Sequence, residues 1–426
     1  MTSPAVASGV PGVPDAASVP RLLSLDGDSS FDAHYKRWGP MPEGGYGLID
    51  EVEKAGLKGR GGAGFPTAKK LRAVAHGRRS VVVANGTERE PVSRKDKALL
   101  SGSPHLVLDG LGVAAETVGA DEAILCMDRQ ATGAIRSVVR ALSERGAVGV
   151  DLVPIRLETT PSPYVTGEES ALVHWLNGGD AKPTFVPPRP FERGVKGRPT
   201  LVNNVETLAH LALIARFRAE WFRRLGTEVD PGTALLTLSG DVARPGVYET
   251  SLGSPIAEAI KAARPNGSPL AVLVGGYSGA WIPAALVGKL TLDSASLREA
   301  NASVGCGAIT VLGPDSCGLL ETASIVRWMA GQSAGQCGPC VHGLPAIASA
   351  LDRMVAGDRQ GRAERHLLRC MDMVAGRGAC HHPDGVIQLV RSALMVFGEE
   401  VEGHRRHGRC SARPVLPTPS AGRVWK

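Results

Sequence analysis

The hydrophobic periodicity of the 426-residue chain changes twice, near residues 230 and 310, and no single layered architecture carries all three textures. Between residues 46 and 228 apolar runs of strand length alternate with helical spacing. Ser80 to Asn85 is an apolar, β-branched run and Leu106 to Val118 has helical spacing. Ala123 to Met127 is strand-like, Ala134 to Arg145 helical, and Val150 to Leu157 a third strand. Strand alternating with helix predicts an α/β sheet with helices packed on it, whose ligands bind beyond the carboxyl ends of the strands. From 229 to 310 shorter strand-and-turn segments surround one short helix (Ile256 to Ala262), which predicts a small α+β module. Residues 311–402 carry four helical stretches, Leu319 to Met329, Leu344 to Met354, Arg362 to Met373 and Val386 to Phe397, and read as an α bundle. Residues 1–45, rich in Ala, Pro, Ser and Gly, read as a mobile tail with at most one short helix. Residues 403–426 read as a frayed basic tail.

Composition narrows the chemistry. The net charge of +6 is dispersed and comes mostly from arginine, without basic runs or interleaved aromatics, so nucleic-acid binding is not expected. No apolar stretch reaches the ~18 to 20 residues of a membrane span, and the N-terminus lacks a signal pattern, so a cytoplasmic protein is expected. Seven of the eight cysteines lie beyond residue 300, a skew that favours metal or redox chemistry over disulfides in that compartment.

Five motifs stand where ligands of such a sheet and bundle would sit. In Gly59-Arg60-Gly61-Gly62-Ala63-Gly64-Phe65-Pro66-Thr67, four glycines let backbone N–H groups approach an anion at a helix start, and Lys70 adds charge; a plain flexible turn is the alternative. Asn85-Gly86-Thr87-Glu88-Arg89-Glu90-Pro91 follows the strongest strand, and its amide and carboxylate groups suit a heterocycle edge or sugar hydroxyls, or simple solvation. Tyr164-Val165-Thr166-Gly167-Glu168-Glu169-Ser170 sets two carboxylates at a helix start, where they also complement the helix dipole. Asn203-Asn204 suits a cap or a polar ligand. Cys337-Gly338-Pro339-Cys340 with Cys380 suits an iron–sulfur cluster. A thioredoxin-like dithiol, zinc with His342, His381 or His382, and structural cysteines remain open on spacing alone.

In this order the five motifs resemble the NADH-binding flavoprotein subunit of respiratory complex I and its relatives in soluble hydrogenases and formate dehydrogenases, over about Leu48 to Gly398. The resemblance implies a Rossmann-like FMN domain, a ubiquitin-like β-grasp domain of the soluble-ligand-binding type, and a helical bundle holding a [4Fe–4S] cluster. It assigns Gly59, Gly61, Gly62, Gly64, Phe65, Lys70, Asn85, Glu88, Tyr164, Gly167, Glu168, Glu169, Asn203 and Asn204 to FMN and NADH binding, with Glu169 beside the nicotinamide as the catalytic position. Cys337, Cys340 and Cys380 become cluster ligands, while Cys126, Cys306, Cys317 and Cys410 stand apart and Cys370 is read as core, with recruitment as a further ligand the alternative.

The implied activity is an NADH dehydrogenase-like oxidation, with single electrons leaving through the cluster to a ferredoxin-like or small iron–sulfur subunit, or into a membrane-associated redox complex at the inner face of a membrane. The chain also departs from the family. Thr87 replaces an Asp, Ala73 and Arg189 replace two Phe and Val186 a Lys of the NADH cleft, and Ala334 replaces the first cluster cysteine. The departures leave two alternatives, a flavoprotein fed by a redox partner without NADH, and a cofactor-free scaffold.

Overall fold

The computed structural model describes residues 19–24, 27–75, 79–419 and 425. The first region is built on a parallel sheet of β1 (Ser80–Gly86), β2 (Ala120–Asp128), β3 (Ile155–Thr160) and β4 (Thr200–Asn204), in the order β3-β2-β1-β4. A parallel sheet is covered on both faces, so β1 reads as an unbroken apolar run. Its alternate residues still divide. Val82 and Ala84 join the large core formed with helices Gly47–Ala55, Thr67–Ala75, Pro104–Val118 and Val205–Arg223, whereas Val81 and Val83 meet Leu172, Val173 and Val195 on the other face. Gly110, in the middle of helix Pro104–Val118, is required by contact, because a Cβ there would lie 1.9 Å from the Leu208 carbonyl oxygen.

The third strand begins at Ile155, later than its apolar pattern predicts. Asp151 is drawn instead to the buried Arg145 guanidinium, 2.6 Å away, so residues around it close the preceding helix rather than extend the sheet. β4 is short and ends in two asparagines, and its strand character is hidden from a periodicity reading.

The second region is a five-stranded sheet of β5 (Thr233–Gly240), β6 (Gly246–Ser251), β7 (Ala271–Val274), β8 (Ala280–Pro283) and β9 (Ala308–Leu312), in the order β6-β5-β9-β7-β8, with helix Ile256–Ala262 against it. β9 is the central strand, parallel to β5 and antiparallel to β7, so this sheet runs two residues past the expected 310 boundary. Its other face packs on helices Gly318–Gly331, Leu344–Gly357, Arg362–Val374 and His382–Val396. Trp281 fixes that junction, its indole N–H donating to Thr322 Oγ1 at 3.0 Å and its backbone N–H to Ser392 Oγ at 2.9 Å.

The expected tails are attached where they are described. Helix Phe31–Trp38 buries Trp38, Leu22 is buried, and the Arg21 guanidinium lies 4.0 Å above the Trp221 ring while donating to the Phe222 carbonyl. At the other end helix Gly398–His407 buries His404, and Leu416 joins the bundle core, so the expected fraying does not occur over 403–419. The remainder of both tails lies outside the described residues. No single described helix is long and apolar enough to cross a membrane.

Candidate functional site

Strands are added outward from β1 through β2 to β3, and the chain then returns to place β4 on the other side of β1. The reversal opens a crevice at the carboxyl ends of β1 and β4, the place where open α/β sheets bind ligands. Asn85 and Asn204 are register partners there. The glycine loop is folded over the same edge, where Gly59 N–H donates to the Phe65 carbonyl at 2.9 Å, and a Cβ on Gly61 would stand 3.2 Å from Asn204 Cβ. Gly62 and Gly64 have φ of +117° and +61°, conformations that favour glycine. Lys70, one turn into the following helix, reaches Glu169 Oε2 at 2.7 Å and the Val202 carbonyl at 3.1 Å, tying loop, β4 and helix Glu169–Leu176 together.

Several predicted contacts serve the framework. Asn85 donates through Nδ2 to the Gly167 carbonyl at 2.9 Å and accepts the Thr87 hydroxyl at 2.7 Å. Thr87 is thus absorbed by the protein. Glu168 caps its helix, accepting from the N–H groups of Ser170 and Ala171 at 3.0 Å. Asn204 caps the next helix through Glu206 N–H and donates to Asp96 Oδ2 at 2.7 Å. The Glu88 carboxylate accepts from Ser93 Oγ and the N–H groups of Asp96 and Lys97 at 2.7 to 3.0 Å, so it holds its own loop rather than opening into the crevice. Against this satisfied background, the buried Asn203 Nδ2 and Thr166 Oγ1 have no partner. Unpaired buried polar atoms beneath a glycine loop fit a polar heterocycle carrying a phosphate, which matches an FMN-like group.

The cysteines meet at the adjoining edge of the bundle. Cys337 precedes the turn Pro339–Gly343, Cys340 is buried within it, and Cys380 lies just before helix His382–Val396. Burial pushes the Cys340 thiol up to about 12, and the neighbouring Cys337 and Cys380 push it further. Burial raises the Cys380 thiol as well. The cysteine site and the crevice adjoin, since Tyr164 N–H donates to Gln332 Oε1 at 3.2 Å and the Tyr164 ring centroid lies 5.6 Å from that of His382. Helix, not strand, precedes the motif, unlike a thioredoxin arrangement. His382 is committed to the Met329 carbonyl at 3.0 Å, and Cys370 is buried beside His366. Three thiols therefore suit an iron–sulfur cluster that lacks a fourth thiolate among the described residues.

Comparison with known proteins finds family matches over both regions. The Nuo51 FMN-binding domain model matches residues 52–213, and the NADH-ubiquinone oxidoreductase-F iron–sulfur binding region matches residues 321–404. The F 2 subunit of NADH-quinone oxidoreductase from Rhizobium meliloti (strain 1021) is 32% identical over 381 residues, spanning 85% of this chain and 90% of that protein. The chain belongs to the family of F-type NADH-quinone oxidoreductase subunits. The F-type subunit of Streptomyces coelicolor is 30% identical over 391 residues, covering 88% of this chain and 87% of that protein. An NAD+-reducing [NiFe]-hydrogenase in the H2-reduced state superposes with a TM-score of 0.79 at 31% identity over 88% of this chain, and this chain spans 64% of that one.

Within this F-type fold, Glu90 is a residue that the sequence names in its motif without singling it out. It is fully enclosed, with Oε1 unpartnered and Oε2 accepting from Tyr277 N–H and the Tyr164 hydroxyl, both at 3.1 Å. Burial pushes its carboxyl up to about 7. The Gly275-Gly276 turn closes on it, since a Cβ at Gly276 would lie 2.7 Å from Cys306 Sγ and 2.8 Å from Glu90 Cδ. The only signal in the sequence is its place two residues after Glu88. The position flanking the altered cleft residues is informative too. Phe65 and Phe185 are exposed at 48% and 79%, and Phe185 directly precedes Val186, so an aromatic stands beside the position where the family carries a Lys.

Proposed function

We propose that this chain oxidises NADH at the crevice and passes electrons singly, through the cysteine site, to a ferredoxin-like or small iron–sulfur partner. The observation that carries the reading is adjacency. The crevice, with its unpartnered Asn203 amide, abuts the cysteine site through Tyr164, whose ring centroid lies 5.5 Å from that of Trp328 and 5.6 Å from that of His382, two residues after Cys380. Bound FMN would supply a two-electron acceptor that releases electrons one at a time, which nicotinamide cannot do. The protein's own part is placement. The glycine loop offers backbone N–H groups to phosphate, and Asn203 and Thr166 offer polar atoms to the ring or its side chain. Lys70 holds the Glu169 carboxylate at the crevice entrance, where we assign it to orient the nicotinamide. Glu90, its carboxyl pushed up to about 7 by burial, is shared between its protonated and ionised forms at neutral pH and accepts the Tyr164 hydroxyl beside the site.

A second reading, in which a redox protein rather than NADH feeds the flavin, is favoured by one specific observation. Ala73, Val186 and Arg189 are all exposed, so the cleft has lost an aromatic wall and an ammonium, and stacking lost there costs about 1 to 3 kcal/mol. The test is anaerobic purification with FMN reconstitution and iron analysis, then titration with NADH and NADPH. A flavin spectrum that bleaches at micromolar NADH supports the first reading. A flavin that bleaches only with a reduced iron–sulfur protein supports the second, and protein that takes up neither flavin nor iron overturns both.

A further inference from the structure

Away from the crevice and from Cys337, Cys340 and Cys380, a second ligand group is assembled from three segments. Cys317 opens helix Gly318–Gly331 and its sulfur accepts from Leu320 N–H at 3.4 Å. His404 lies in the last turn of helix Gly398–His407, and Cys410 lies in the segment that leaves it. One ligand atom from each of the three falls within 4.8 Å of the other two. The tautomer is set by the structure. His404 Nδ1 is 2.7 Å from the Val355 carbonyl, which can only accept, so Nδ1 carries the proton and Nε2 turns its lone pair to Cys317 Sγ at 3.3 Å. That is how metal-binding histidines are commonly oriented, by a carbonyl on the far ring nitrogen. A tetrahedral ion with Zn–S of about 2.3 Å and Zn–N of about 2.0 to 2.1 Å would separate S and N by roughly 3.5 Å, close to what is found. Glu400, whose carboxylate accepts Leu319 N–H at 3.1 Å, adjoins the Cys317 thiol but stands outside the three-ligand group, which leaves the fourth position of a tetrahedral ion to water.

We propose that Cys317, His404 and Cys410 bind a zinc-class divalent ion that pins the C-terminal segment to the bundle. Binding forms two metal–thiolate bonds and one metal–imidazole bond, and the two thiol protons leave to solvent. The segment beyond Cys410 has definite partners. Val415 and Leu416 N–H groups donate to the Glu321 carboxylate at 2.6 and 3.3 Å, the Tyr277 hydroxyl donates to the Pro417 carbonyl at 2.6 Å, and the Trp328 indole donates to the Pro419 carbonyl at 2.8 Å. Tyr277 also holds Glu90, so the ion clips down a strap that leads to the back of the crevice.

The experiment uses the full chain purified anaerobically from zinc-supplemented medium. Metal analysis should give about one zinc per chain, and exchange for Co2+ should produce thiolate-to-cobalt charge-transfer absorption. Cys410→Ser and His404→Ala should each lower zinc retention at least ~10-fold while leaving iron content unchanged, and Cys340→Ser should do the reverse. Chelation should speed tryptic cleavage after the exposed Arg409. Wild-type protein without zinc and without the cobalt band would mean that Cys317 and His404 share only a hydrogen bond, and it overturns the proposal even if the variants fail to fold. So does zinc that survives in Cys317→Ser/Cys410→Ser, or that follows Cys340. Because zinc and iron are read separately, failure here is distinct from failure of the flavin and cluster reading.

Discussion

The crevice and the cysteine site adjoin, yet they are held in place by different means. Around the crevice, Asn85, Glu88, Glu168, Asn204 and Lys70 are each fixed by other protein groups, so the framework exists before any ligand arrives. The Cys340 thiol, pushed up to about 12 by burial and by its thiol neighbours, is held by Cys337 and the Gly335 backbone, and Cys380 by the His382 backbone, contacts that come from the cysteine loops themselves. The sulfurs take their final places when a metal replaces their protons. A ligand should therefore add affinity at the first site and order at the second. Cys340→Ser should break this contrast most visibly, reducing bound iron to background and loosening the bundle while leaving FMN uptake nearly intact. Iron analysis and the flavin spectrum of the same preparation check it, and parallel loss of both would show that the two sites fold as one.

Lys95→Ala tests the framework side. Lys95 is buried between Asp96 Oδ1 at 2.7 Å and Glu206 Oε2 at 2.8 Å, and Glu206 Oε1 accepts the Leu235 N–H of β5. Burial opposes the charge on Lys95, but Asp96, Glu206 and Glu88 outweigh it and hold the lysine charged. Removing the cation strands two buried carboxylates, a loss of about 3 to 5 kcal/mol. Denaturant unfolding of the flavin-free protein should show it, whereas Cys340→Ser should cost the iron-free protein far less.

Much of this framework is readable from the chain because buried parallel strands announce themselves as apolar runs, and the residues at their ends are then candidates by position alone. Asn85 was identifiable on that ground, whereas Asn203-Asn204 stood out only as a paired cap or polar contact because β4 is too short to announce itself. β9 was not, since a five-residue apolar run among turns carries no sign that it will be the central strand. Glu90 was not, because the backbone that holds it belongs to Tyr277, 187 positions away. The pairing of Cys317 with His404 spans 87 positions and two helices, and no local spacing rule reaches so far. Nor did spacing reveal that Glu88 and Glu168 spend their carboxylates on loop and helix ends. Local patterns fix elements; partners drawn from different domains require the packed structure.

Asn203→Leu distinguishes a ligand contact from a framework contact. The Asn203 amide donor is buried and unpaired, so replacing it with an apolar group of similar size should leave the flavin-free protein as stable or slightly more so. The same change should weaken FMN binding by about 5- to 30-fold, the equivalent of one lost hydrogen bond of ~1 to 2 kcal/mol. A variant that destabilises the flavin-free protein and leaves FMN affinity unaltered would place Asn203 with the framework instead.

Glu90 gives the smallest and most conditional effect. Its folded carboxyl, pushed up by burial to about 7, lies above the ordinary glutamate value of 4.5. Across that window the folded chain holds a proton that the unfolded chain has released, so stability falls as pH rises from the lower value to the higher. The loss is on the order of 1 to 3 kcal/mol and is complete above the folded value. Glu90→Gln keeps the shape and cannot ionise, so it should remove this part of the slope and make the variant the more stable protein near pH 8. Thermal unfolding of both proteins from about pH 5 to about pH 8 measures the difference directly. Parallel curves would mean that Glu90 ionises freely in the folded chain, and that the Tyr164 and Tyr277 contacts, not burial, decide its charge.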